Sequence, residues 1–278
     1  MRLLVGFDGS EGGRDALELA RRVAEPAQAG LLVVAVIPYG PLPVDFRALE
    51  SDAAAEAEPL FEEARERLAG LEVETRGFGG GSPAGVMTDL AEAGEIDLIV
   101  VGSPHRGAVG RALIGSVAES LLHGAPRPVV VAPRAYAEER HDPARRIAVA
   151  YDGTPEAKAA LRRAEAIAAP TGATIEVLTV VAPPVAMPGV VGYTPIDPPD
   201  PDRVLTEAVN SVDSGLAATG RRLDGPPART LAEACDDGVD LLVAGSRRYG
   251  PVMRVLLGSV STQLVHLAPC PVLVEPRP

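Results

Sequence analysis

The sequence holds a single lysine, Lys158; the other 25 of its 26 basic residues are arginine. A Walker-type phosphate loop is therefore excluded, because it needs a lysine directly after its last glycine. Lys158 falls in a polar helical stretch, which argues against a Schiff-base role. Tryptophan is absent and aromatic residues make up 3% of the chain, too few for the stacking platforms that grip single-stranded nucleic acid. Acidic residues outnumber basic ones, 38 to 26, for a net charge of −12. A surface that neutralised DNA phosphates would lean the other way, so no nucleic-acid partner is expected. Cys235 and Cys270 are too few for a disulfide framework or a zinc site and read as buried thiols in a reducing compartment. No apolar run approaches 18 residues, so no membrane span is expected. The N-terminal stretch reaches Asp8 too early for a signal peptide. The expected location is the cytoplasm.

What the chain does have is an internal repeat. VGSPHRGAVGRALIGSVAESLLHGAPRPVVVAP at 101–133 aligns without a gap on AGSRRYGPVMRVLLGSVSTQLVHLAPCPVLVEP at 244–276, an offset of 143. RLLVGFDGS and RIAVAYDGT set Asp8 opposite Asp152 at an offset of 144. Two copies of one domain follow: residues 1–134, a charged linker at 135–145, and residues 146–278.

Within each copy, short apolar runs alternate with stretches of helical period. In the first copy the strands read as 3–7, 31–37, 71–76, 96–101 and 128–132. The helices read as 12–25 (stopped by Pro26), 52–69, 82–93 (Ser82 as cap, Pro83 first) and from Ser116 onward. The second copy differs by a long Pro-rich loop at 182–201 and a short third strand near 221–223. Such alternation specifies an α/β fold of two tandem doubly wound domains with parallel sheets. Ligands of such sheets sit beyond the carboxyl ends of the strands, where the strand order reverses. Three segments of each copy meet there: the turn at Asp8 or Asp152, the strand end at Val36 or Val180, and the loop from Gly102 or Gly245.

That last loop holds Gly102, Gly107 and then Gly115-Ser116 opening a helix, matched by Gly245, Gly250 and Gly258-Ser259. Glycines admit close approach of a phosphate to the backbone, and a helix N-terminus offers free N–H groups without any lysine. Glycines also end strands and serine also caps helices, and duplication copies a structural turn as faithfully as a site. His123 and His266 lie late in a helix, where a cation is favoured, and read as caps. The Asp197–Asp202 run, interleaved with proline, reads as loop rather than cation site. No G-x-S-x-G, H-E-x-x-H or Cys-x-x-Cys motif is present, and no enzymatic activity is expected.

At VGFDGS and VAYDGT, at the D-L-[I/L]-V-x-G-S strand end, and at L-[I/L]-G-S-V with its later A-P-x-P-V, the sequence resembles the universal stress protein family over both halves. The resemblance implies five-stranded parallel sheets of order 3-2-1-4-5 with helices on both faces. It implies a stress-response or signalling module that binds adenine nucleotide, namely ATP with or without Mg²⁺, with little or no turnover. It also implies an internal pseudo-dimer of the two copies through their closing strands, with a homodimer as a further possibility. By resemblance, Asp8 and Asp152 meet the ribose, and the backbones of Val36 and Val180 meet adenine. Gly102, Gly115, Ser116 and Val117, with Gly245, Gly258, Ser259 and Val260, surround ribose and phosphates. The family's G-x2-G-x9-G-[S/T] pattern is altered here: His105 and Arg248 replace its second glycine, and Gly107 and Gly250 follow two residues later. Two readings stand. Either the shifted glycine still cradles phosphate, with Arg106, Arg247 or Arg248 adding charge, or the loops are degenerate and the chain is a nucleotide-free scaffold.

Overall fold

The computed structural model describes residues 1–37, 46–103, 115–183, 200–246 and 259–277, with backbone alone for 46–51 and 259. Gly107, Gly250, Gly258, His105, Arg106, Arg247 and Arg248 lie outside the described residues.

In the first half β1 (Arg2–Gly6), β2 (Gly30–Ile37), β3 (Val73–Gly79), β4 (Leu98–Gly102) and β5 (Val129–Ala132) alternate with α1 (Glu11–Ala27), α2 (Phe46–Arg67), α3 (Pro83–Glu92) and α4 (Ser116–Gly124). The second half repeats this with β6 (Arg146–Ala150), β7 (Thr174–Val181), β8 (Ala218–Asp224), β9 (Leu241–Gly245) and β10 (Val272–Glu275). Its helices are α5 (Pro155–Ala168), α6 (Pro201–Ser211), α7 (Pro227–Ala234) and α8 (Ser259–Leu267). Each half has the expected order 3-2-1-4-5 with parallel neighbours. The two sets are not separate sheets. β5 and β10 pair antiparallel, Val130 opposite Leu273, and join all ten strands in one sheet of order β3-β2-β1-β4-β5-β10-β9-β6-β7-β8.

The central strands are buried on both faces, as their unbroken Val/Leu/Ile runs require. One apolar layer, with α1, α2, α5 and α6, covers one face across both halves, and a second layer, with α3, α4, α7 and α8, covers the other. Both cysteines are buried free thiols, and the Cys235 neighbour together with burial pushes the Cys270 thiol up. Among the described residues no helix is long and apolar enough to cross a membrane.

Several element ends differ from expectation. α1 runs through Pro26 to Ala27. A proline in the last turn forfeits only one N–H bond. The helix closes instead at Gln28, in the left-handed conformation, which donates to the carbonyls of Ala24 and Glu25. β8 has seven residues, not three, because it pairs along nearly all of β7. The Asp-Pro run is not all loop: Asp200 caps α6, accepting from the Asp202 N–H at 3.0 Å, and Pro201 opens the helix.

The connecting segment is fastened to α1. A single helical turn at Tyr136–Glu138 buries Tyr136, whose ring stacks on His141 at 3.9 Å. Asp15 accepts the Ala137 N–H at 2.8 Å and Glu18 accepts the His141 N–H at 2.8 Å. Arg22 donates to the Tyr136 hydroxyl at 2.7 Å and the Asp142 carbonyl at 2.6 Å, and pairs with the Asp240 carboxylate of the second half. Burial alone would raise the Asp240 carboxyl; N–H donation from Arg145 and Arg146 and the Arg22 guanidinium outweigh it and hold the carboxyl below its ordinary value.

Candidate functional site

Parallel strands end together, and where β1 and β4 feed helices on opposite faces a crevice opens. In the first half it has a volume of about 260 Å³. Asp8 and Val36 line it, as do Gly102 at the end of β4 and Gly115, Ser116 and Val117 at the start of α4. Every described residue proposed from sequence for this half therefore faces one space.

Local chemistry sets each position. Asp8 Oδ1 accepts the Ser10 N–H at 3.0 Å, and Ser10 Oγ in turn caps α1 by accepting the Gly13 N–H at 3.0 Å. No hydrogen bond to Asp8 Oδ2 is present among the described residues. Gly115 caps α4 in an extended conformation without a side-chain bond. The first-turn N–H groups of that helix are thus available to an anion, at the positive end of the helix dipole. Gly12 and Gly102 let two backbones touch. A Cβ on Gly102 would lie 1.8 Å from the Gly12 carbonyl oxygen, and one on Gly12 would lie 2.4 Å from that of Ser103.

The second crevice, at the ends of β6 and β9, is smaller, about 150 Å³. Asp152, Val180, Gly245 and Val260 line it. Ser259 opens α8. Asp152 Oδ1 accepts from the Thr154 hydroxyl at 2.6 Å, and Ser261 Oγ donates to the Gly245 carbonyl at 2.9 Å. Two differences matter. Glu156 lines this crevice at the position of Gly12, and its carboxylate pairs with Arg277 at 3.2 Å. Tyr151 replaces Phe7, its phenol pushed up by burial and by Asp152 and Glu207.

Sequence reading missed Met87 and Phe7 as apolar walls and Ser103 as a polar one. The strand ends at Phe7 and Ser103 were visible in the pattern; Met87 was not, because only packing turns that face of α3 inward. His123 Nδ1 lies 2.7 Å from the Glu119 carbonyl, within its own helix, in keeping with a capping role.

Comparison with known proteins gives one family. The sequence profile described as the universal stress protein family matches residues 1–133 and again 143–276. A universal stress protein of Mycobacterium bovis is 30% identical over 305 aligned residues, covering 99% of this chain and all of that one. One from Mycolicibacterium smegmatis is 28% identical, over 99% of this chain and 97% of its own. Among solved structures, a universal stress protein from Archaeoglobus fulgidus superimposes with a TM-score of 0.75 at 24% identity, over 100% of this chain and 98% of its own.

Proposed function

Because the chain belongs to the universal stress protein family, with two copies in tandem, we propose that it is a stress-response or signalling module that binds ATP in its first-half crevice with little or no turnover. The observation that carries this is the convergence, on one 260 Å³ space, of Asp8, the Val36 strand end and an N-terminus of α4 whose Gly115 cap makes no side-chain bond. Asp8 accepts the ribose hydroxyls. The Val36 backbone offers an N–H and a carbonyl to the adenine edge, between Met87 and Phe7. The N–H groups at Ser116 and Val117 take phosphate oxygens, with Ser116 Oγ as an added donor. In this proposal Mg²⁺, where present, accompanies the phosphates.

The second half is the degenerate one in this reading. Its crevice is smaller, and Glu156, paired with Arg277, stands where the first half has Gly12. Its role is to complete the fold as an internal pseudo-dimer partner through the β5–β10 pairing. The test is direct. Protein purified at neutral pH is denatured and the supernatant is analysed by mass spectrometry, alongside thermal melts with millimolar ATP. Released adenine nucleotide, or a melt raised by several degrees, is expected. Neither result would leave the scaffold reading in its place.

A further inference from the structure

A third cleft, about 360 Å³, lies away from the first crevice and next to the second, where the Pro126–Pro128 entry to β5 meets α5 and the end of β10. Arg127, Arg162, Arg163 and Arg277 line it with Glu275. Arg163 is neutralised by Glu275, its Nε at 2.9 Å, and Arg277 by Glu156. Arg127 and Arg162 have no hydrogen-bond or ion-pair partner among the described residues. Every other arginine whose side chain is described has one. In a chain of net charge −12, the two arginines without a partner among the described residues thus fall in one cleft, one from each half. Lys158, the sole lysine, stands four residues before Arg162 on the same side of α5.

The repeat sharpens the contrast. At an offset of 144, Ala159, Arg162 and Ala166 of α5 correspond to Asp15, Glu18 and Arg22 of α1. On α1 those carboxylates hold the connecting segment by accepting its backbone N–H groups. On α5 the acceptor Glu18 gives way to the cation Arg162, Asp15 and Arg22 both give way to alanine, and Arg127 takes the place of Cys270. Where the first half presents a carboxylate to backbone N–H donors, the second presents a guanidinium.

We propose that this cleft binds a small oxyanion carrying two or more charges, of the phosphate or polyphosphate class, held between Arg127 and Arg162. Arginine's planar fork suits such oxygens. The cleft is large enough for a pyrophosphate-sized ligand and is independent of the crevice assigned above to ATP.

The test is calorimetric titration of the full chain with inorganic pyrophosphate at low and moderate salt. The wild type should bind, more weakly as salt rises. Arg127→Gln with Arg162→Gln should weaken binding at least tenfold, and so should Arg162→Glu alone, a change at an exposed site that leaves the fold intact. Gly115→Val, in the first crevice, should leave it unchanged. No binding by the wild type, binding indifferent to the arginine changes, or binding lost with Gly115→Val would each overturn the proposal. So would sedimentation showing a dimer that Arg162→Glu dissociates while pyrophosphate does not bind, since the cleft then serves a second copy.

Discussion

Gly102 shows how one residue can satisfy two demands. It was read from sequence as a glycine admitting phosphate, and it lines the crevice. Its lack of a side chain is already required by packing, because a Cβ would meet the Gly12 carbonyl at 1.8 Å. Gly102→Ala should therefore destabilise the fold by about 2–3 kcal/mol, read as a fall in the urea midpoint, with or without nucleotide. Asp8 is the contrasting case. It is exposed and serves one short turn, so Asp8→Ala should cost little stability yet weaken ATP binding about tenfold or more, the usual worth of a hydrogen bond to a charged group. An equilibrium titration against the wild type, with a melt as control, separates the two effects. The carboxylate and the strand-end glycines were legible because residue type and spacing alone define them. Glu156 in the second crevice was not, since its sequence position opens a helix like any other first-turn acid.

The helix end at Ser82 was legible from its cap side chain, and Ser10 and Thr154 cap α1 and α5 in the same way, each accepting from the third residue on. Ser10→Ala should cost about 1 kcal/mol in chemical denaturation. The element that sequence could not reveal is the latch between α1 and the connecting segment. Arg22 reads locally as one more solvated charge, and its partners lie 114 and 218 residues away. Burial opposes the charge of Glu18 and Asp240, but donors from Arg21 and His141 to the first, and from Arg145, Arg146 and Arg22 to the second, hold both carboxyls below their ordinary values. A depressed carboxyl contributes stability that is complete above its unfolded pKa, about 4, and fades as pH falls through the folded one. Unfolding free energy should thus drop as pH is lowered from about 5, and Asp240→Asn should flatten that drop while lowering stability at pH 7. Denaturant titrations at a series of pH values check both.

At the scale of the whole molecule, the repeat and the order within each half were legible, because a duplicated pattern of period and turn residues specifies a topology twice. The seam is a matter of edges. β5 and β10 are each buried on both faces, and either one left unpaired would expose a row of backbone donors and acceptors. Joining them antiparallel removes both edges. Leu273→Asp, placing a charge at a fully buried seam position opposite Val130, should cost at least about 3 kcal/mol, measured by equilibrium unfolding. The same join sets two crevices in one sheet, of which the larger, with Gly12 in place of Glu156, is the one assigned to ATP.

Calorimetric stoichiometry tests that assignment most directly. Titration with ATP should give one site per chain, abolished by Asp8→Ala with Gly115→Val and untouched by Asp152→Ala. Two equivalent sites, or a single site lost with Asp152→Ala and kept in the first-half variant, would contradict it.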